Sequence, residues 1–305
     1  MRFLYIAESP ESFGGYKAKP GKTLYSLVGF PFDSTTSFRA GQRFGPNAVR
    51  TASRYIEFNS LRAGVDVDEI GGISDEGDIA VVYGDPRETV RRVEEVYKDL
   101  LEGKRFPILV GGEHLGTLGA LSAFRKINPC IIWIDAHMDL RDDYLGCKYS
   151  HASVVRRLNE KYGGNLKLFY LGVRGFSGDE YEYAINKGYE IVTSLEAISL
   201  GENMLTLKLK NFLADCNDYY VSIDMDVFDP SYAPAVGNPE PEGLSPSLVL
   251  DVLWNIIDNR LIGFDVMETS PVYDPSGITS VLAGKLIVEI VAMHYVKKTR
   301  NNYDD

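Results

Sequence analysis

The stretch Cys130-Ile-Ile-Trp-Ile-Asp-Ala-His-Met-Asp139 decides how the rest of the chain is read. It opens as a continuous apolar, largely β-branched run, the mark of a strand buried on both faces of a parallel sheet. It closes with three ligand-type side chains at alternate positions: Asp135, His137 and Asp139. In an extended chain, residues i, i+2 and i+4 point to one side, so two carboxylates and an imidazole converge where the strand leaves the sheet. Open α/β proteins place ligands at that edge, outside the carboxyl ends of their strands. An Asp after a strand also serves as a helix cap. Three ligand types in phase behind so apolar a strand favour a metal instead.

Outward from that stretch, strand and helix alternate. The pattern predicts strands at Leu24–Phe30, Phe106–Val110, Ile131–Asp135, Leu166–Val173, Tyr189–Val192, Tyr219–Asp224 and Leu261–Met267. It predicts helices over 47–58, 85–102, Leu115–Arg125, His151–Tyr162, Asp179–Lys187, 245–258 and Gly277–Lys298. The third of these elements from the N-terminus starts on Asp85-Pro-Arg-Glu88, an N-cap followed by Pro at the first helical position and Glu three on. Such alternation predicts a parallel sheet with helices on both faces. No linker, repeat or low-complexity tract divides it, so residues 1–305 read as one domain, with 1–22 as an irregular N-terminal arm.

Composition narrows the function. With 45% apolar and 25% charged residues, the 305-residue chain can bury a sizeable core. A net charge of −11 argues against a nucleic-acid surface and suits a small cationic substrate. No run reaches the length of a membrane span, and the N-terminal residues predict no signal peptide. Three cysteines without a CxxC pair predict a reducing, cytoplasmic setting and no thiolate zinc site.

Three strand ends carry the chemistry. Ile108-Leu-Val-Gly-Gly-Glu-His114 brings His114 over the sheet edge, its glycines allowing a sharp turn. It contains neither GxxxxGK nor GxGxxG, which weighs against a phosphate cradle. In Val221-Ser-Ile-Asp-Met-Asp226, Asp224 and Asp226 alternate on one face. The inward set is therefore His114, Asp135, His137, Asp139, Asp224 and Asp226. Two close divalent ions would neutralise four carboxylates and leave a bridging position for hydroxide. Imidazole and carboxylate without thiolate suit Mn²⁺ better than structural zinc.

In these motifs the chain resembles the ureohydrolases, the arginase and agmatinase family, and agmatinases most. GGxH, DAHxD and SxDxD occur in family order as Gly111–His114, Asp135–Asp139 and Ser222–Asp226. The likeness implies an arginase-like three-layer α/β/α sandwich around an eight-stranded, mostly parallel sheet. It implies that His114, Asp135, Asp139 and Asp224 hold one Mn²⁺, and Asp135, His137, Asp224 and Asp226 the other. It further implies a homo-oligomer, a trimer or hexamer. Gly29–Asp33 with Gly41–Arg50, and Ala233–Leu244, resemble further agmatinase segments, the latter departing at Ala235 and Asn238. Asp265-Val-Met-Glu-Thr-Ser-Pro271 is similar to the segment whose glutamate, here Glu268, grips the guanidinium, and such pairing can be bidentate. His151 matches the entrance histidine assigned to proton transfer, which a ring near pKa 6.5 can perform in either direction. His294 reads as a core or interface residue.

Arginases hold the amino-acid end of their substrate with an Asn, a Ser and an Asp. Here Arg141 stands near the expected Asn and Ser177 where the Asp would be, so that clamp is missing. Agmatine, hydrolysed to putrescine and urea, is the expected substrate, with aminopropylagmatine, guanidinobutyrate, arginine and guanidine as rivals. A metal-binding homologue without turnover is the rival from another class, yet no ligand is missing. Asp142, Asp143 or Glu240 is expected to meet the distal ammonium, with Tyr144 in the wall.

Overall fold

The computed structural model describes residues 4–15 and 23–301. Its strands are β1 (Ile6–Ala7), β2 (Tyr25–Phe30), β3 (Asn59–Ser60), β4 (Val65–Asp66), β5 (Ile73–Ile79), β6 (Phe106–Gly111), β7 (Cys130–Ile134), β8 (Leu168–Val173), β9 (Glu190–Thr193), β10 (Tyr219–Asp224) and β11 (Leu261–Met267). The helices are α1 (Gly45–Ser53), α2 (Pro86–Glu102), α3 (Leu115–Ser122), α4 (Val154–Lys161), α5 (Gly178–Asn186), α6 (Ser194–Leu213), α7 (Pro246–Ile256) and α8 (Ile278–Asn301). Nine strands form the main sheet in the order β1-β5-β2-β6-β11-β10-β7-β8-β9; β3 and β4 pair separately. Eight of the nine are parallel, and β1 runs antiparallel to β5 at the edge.

Period-two alternation puts the two sides of each strand into different cores. Ile132 and Ile134 of β7 join Val221 and Ile223 of β10 under helices α1, α6, α7 and α8. Ile131 and Trp133 join Leu109 and Tyr220 under α2, α3, α4 and α5. The result is the expected three-layer α/β/α sandwich, with nine strands in place of the expected eight because β1 adds an antiparallel edge strand to β5. β6, β11, β10 and β7 lie side by side in mid-sheet, with Trp133 opposite Ser222 and Ser222 opposite Asp265. Their C-terminal ends therefore come together.

Several elements depart from the sequence reading. β5, Ile73-Ser-Asp-Glu-Gly-Asp-Ile79, is too acidic to read as a strand. Its aspartates instead face Arg50 of α1, which is fully buried and bonds Asp75 at 2.7 Å and Asp78 at 2.6 Å. α6 was also unpredicted, although Thr193 and Glu196 close a capping box at its start. The N-terminal arm is not all irregular: β1 lies in it, and Phe13 is buried with its amide on Asp75. The rest of that expectation, at 1–3 and 16–22, lies outside the described residues.

α8 corrects another expectation, since 278–299 is long and apolar enough to cross a membrane. Its most apolar window is 72% buried inside the protein, which marks a core helix. His294 is among its buried residues, as expected, with Nδ1 at 3.0 Å from the Tyr25 hydroxyl and its ring on Phe106.

The cysteines correct a third. Cys130, at the start of β7, is joined in a disulfide to Cys216, which precedes β10, and Cys147 is free. Disulfides persist in oxidising compartments and in hyperthermophile cytoplasm. The pairing therefore removes the cysteine argument for a reducing setting. Closing a loop of 86 residues restricts the unfolded chain by about 4–5 kcal/mol in the chain-entropy picture. We expect thiol titration of the unfolded, unreduced chain to find one thiol, Cys147. Cys130→Ala with Cys216→Ala should lower the urea-unfolding free energy by about 2–4 kcal/mol. Three titratable thiols would remove the bridge.

Candidate metal centre

Each central strand delivers a ligand-type side chain at its C-terminal end. His114 follows β6 and caps the start of α3, Asp135 follows β7, and Asp224 ends β10. The glycines before His114 act through space, not through a left-handed turn. A Cβ on Gly112 would lie 2.3 Å from the carbonyl oxygens of Phe30 and Phe32, and one on Gly111 would strike Met267. Simple strand alternation does not place the remaining ligands. Asp139 sits at φ 49°, in the left-handed region uncommon for non-glycine residues. Asp226 lies in a 3₁₀ turn, its amide donating to Asp224 Oδ1 at 2.8 Å.

The six residues nevertheless meet. His114 Nδ1 is 3.0 Å from Asp135 Oδ2, 3.0 Å from Asp224 Oδ2 and 3.3 Å from Asp139 Oδ2. His137 Nδ1 is 2.9 Å from Asp226 Oδ2 and 3.6 Å from Asp135 Oδ1. Two groups thus have metal-holding spacing, His114–Asp135–Asp139 and Asp135–His137–Asp226, with Asp135 common to both. The set contains four carboxylates against two imidazoles. Burial, then Asp226 and Asp135, push Asp224 well above the ordinary carboxylate range. Burial and then Asp135 do the same to Asp139. Asp135 is the exception: burial raises it, but the two histidines more than reverse that and hold it low. Crowded buried carboxylates of this kind are matched to a cation.

The orientation of His114 gives an independent test of fit. Its Nδ1 is buried and has no hydrogen-bond partner. Its Nε2 lies 2.8 Å from Ser222 Oγ, which donates its proton to Asp265 Oδ1 at 2.6 Å. Asp265 Oδ2 accepts from Thr117 Oγ1 and the Tyr220 hydroxyl. With the Ser222 proton committed to Asp265, Nε2 carries a ring proton, which leaves Nδ1 as the atom that faces the carboxylates and that would ligate an ion on giving up its own proton. The Trp133 ring stacks on His114 at 4.1 Å while its Nε1 donates to Asp135 Oδ2 at 2.8 Å. The donor set fits one or more divalent ions.

Glu268 lies beside this cluster, buried and at φ 68°. Its Oε1 accepts from the His114 amide at 2.7 Å and its Oε2 from Gln42 Nε2 at 2.9 Å. Burial raises its pKa to about 7 against those hydrogen bonds. His151 is buried too, with Nε2 at 3.2 Å from Ser37 Oγ and its amide on Thr35 Oγ1. Burial pushes its pKa down to about 4, so the ring is neutral near pH 7. That corrects the premise of an unperturbed ring that titrates there.

A cavity of about 440 Å³ opens over the cluster, lined by His137, Asp139, Asp224, Asp226, His151 and Glu268, with Arg141, Tyr144 and Glu240 further out. Asp142 and Asp143 are not part of its lining. Asp142 is held by Arg157 at 2.7 Å, and Asp143 accepts from the Gly146 amide. Their absence from the lining corrects the expectation that they form the mouth. Ser177 is taken up in a capping box with Glu180. Sequence reasoning missed Gln42 and Asp265. An aspartate inside the otherwise apolar Leu261–Met267 run was the available signal for Asp265; Gln42, in a loop, gave none.

The model of the arginase family matches residues 24–293. The chain is 37% identical to the N(1)-aminopropylagmatine ureohydrolase of Thermococcus kodakarensis, over 92% of this chain and 94% of that one. It is 35% identical to the agmatinase of Halalkalibacterium halodurans, over 88% and 92%. Among solved structures it is similar to the agmatine ureohydrolase of Thermoplasma volcanium, with a TM-score of 0.82 and 32% identity over 97% and 96% of the two chains.

The His114–Ser222–Asp265 chain makes a prediction that needs no turnover. Ser222→Ala frees the ring to rotate and to change tautomer, and should weaken the binding of a divalent ion, with Mn²⁺ as the probe, by about 10–100-fold. Calorimetric titration of the purified variant measures this, with circular dichroism to check the fold. Unchanged affinity in a folded variant would discard the orienting role.

Proposed function

The chain belongs to the arginase family, and on that premise we propose that it hydrolyses agmatine to putrescine and urea at a pair of Mn²⁺ ions. That it is an agmatinase-like ureohydrolase follows from the similarity over most of its length. The observation that carries the metal reading is His114 Nδ1, buried without a hydrogen bond and within 3.3 Å of three carboxylates. In this proposal His114, Asp135, Asp139 and Asp224 hold one ion, and Asp135, His137, Asp224 and Asp226 the other. Four carboxylates and two imidazoles without thiolate favour Mn²⁺. When bound, such ions supply a water of lowered pKa and Lewis acidity.

The remaining steps fall to the chain's own side chains. Water adds to the guanidino carbon, the bond from that carbon to the alkylated nitrogen breaks, and the leaving amine takes up a proton. Glu268 retains lone pairs beyond the two hydrogen bonds it accepts, and its proposed role is to pair with the guanidinium. His151, neutral at rest, is proposed to receive a proton at Nε2. Held at about pKa 4, it would then give that proton up readily to the leaving nitrogen. At the mouth, Glu240 is the acidic side chain in the lining proposed to meet the distal ammonium.

One observation favours a second reading, aminopropylagmatine. The cavity is about 440 Å³, within the range of small-molecule sites, and its volume sets no upper limit at a ligand as short as agmatine. The T. kodakarensis relative carries that substrate in its name.

Urea release by the Mn²⁺-loaded chain tests the proposal. We expect kcat/KM for agmatine to exceed that for arginine by at least about a hundredfold, equivalent to roughly 2.7 kcal/mol. Equal rates would end the agmatine reading; a strong preference for aminopropylagmatine would replace it with the second. His151→Asn should keep its metal content while kcat falls by about 10²–10⁴. Loss of metal in that variant would make His151 a ligand.

A further inference from the structure

A second cavity, of about 410 Å³, opens where β2, β6 and β11 begin, at the opposite edge of the sheet from the candidate centre. It shares no lining residue with the first. Its wall is apolar: Phe106 and Phe124 are buried, and Ile127 is 51% exposed beside them. Its rim is cationic, with Lys104, Arg105, Lys126 and Lys298 brought together from three segments of a chain whose net charge is −11. Among the described residues, only Arg105 of these four has a carboxylate within ion-pair reach, Glu76 at 3.7 Å. The nearby Asp258 is held by Arg260 at 2.7 Å.

Two further features show a built rim. The Arg105 side chain is 10% exposed and held in place: its Nε donates to Ser26 Oγ at 2.8 Å and its Nη2 faces Glu76 Oε1 at 3.7 Å. Lys104 follows the C-cap of α2 at φ 54°, a left-handed position at which glycine is the unstrained choice. A cation is held there despite the backbone cost.

We propose that this cavity is a binding site for a small amphipathic anion, a medium-chain acyl carboxylate. The acyl chain lies on Phe106, Phe124 and Ile127, and the head meets the rim cations. The volume falls within the roughly 300–1,000 Å³ of small-molecule sites. A cationic ligand would face four like charges, and a bare inorganic anion would leave the apolar wall unused.

Octanoate is the probe, titrated calorimetrically into the purified full-length chain. We expect one octanoate per chain with Kd below about 1 mM. Octylammonium, of the same chain length, should bind at least tenfold more weakly. Lys104→Glu with Lys126→Glu should weaken octanoate at least tenfold without changing Tm. Ile127→Asp, at an exposed position, should do the same should that double variant not fold. Saturating agmatine should leave octanoate affinity unchanged. Absence of binding, equal binding of octylammonium, competition by agmatine, or a folded variant with unaltered affinity would each overturn the proposal.

Discussion

Mutual repulsion among buried carboxylates is the constraint that the centre of this molecule answers. Asp135, Asp139, Asp224, Asp226 and Glu268 are all nearly removed from solvent at the ends of neighbouring strands. Two like charges 4 Å apart cost about 4 kcal/mol even at an effective dielectric near 20. The surroundings meet four of these five carboxylates with a hydrogen-bond donor. The amides of Ala136, His137 and Asp226 reach Asp226, Asp135 and Asp224, Trp133 reaches Asp135, and Gln42 and the His114 amide reach Glu268. These donors fix positions without neutralising the charge. The same side chains are therefore both destabilising and pre-organised for cations.

That pre-organisation extends outward through hydrogen-bonded side chains. Ser222, Asp265, Thr117 and Tyr220 form one buried hydrogen-bonded chain behind His114, crossing from β10 to β11 and to α3. The long loop after β2 is tied in by Thr35, whose amide and hydroxyl both donate to Glu113, and whose hydroxyl oxygen accepts from His151. Burial raises Glu113 to about pKa 8 against those bonds. Gln42 reaches Glu268 from the same loop. One segment thus positions both the Glu268 carboxylate and the His151 imidazole.

At the rim the charges are mixed. Glu240 Oε1 stands 3.9 Å from His137 Nε2, while the Arg141 guanidinium lies over Tyr144 and 3.6 Å from Glu180 Oε2. Arg174 also lines the cavity, but its donors are taken up by the carbonyls of Gly172, Asp226, Val227, Glu240 and Pro241. It braces the loop that carries Glu240. Charge available to a substrate is therefore narrower than the tally of acidic residues in the surrounding loops.

The architecture and the set of candidate ligands are legible in the pattern of residues alone. Strands buried on both faces, such as Ile131–Ile134, advertise themselves as continuous apolar runs, and ligand-type residues directly behind them can only emerge at one sheet edge. Where a strand lies near the edge and is stabilised by ion pairs, as β5 is by Arg50, the pattern carries no such signal. The folded chain sets how those side chains are aimed. Asp139 arrives through a left-handed residue, Asp226 through a 3₁₀ turn, and His114 by a proton chain ending in Asp265. It alone also decided that Asp142 turns to Arg157 and that Cys130 meets Cys216. The Asp142, Cys130 and His114 outcomes depend on partners 15, 86 and 108 residues away along the chain, and side-chain direction at a loop is set by such partners and not by local spacing.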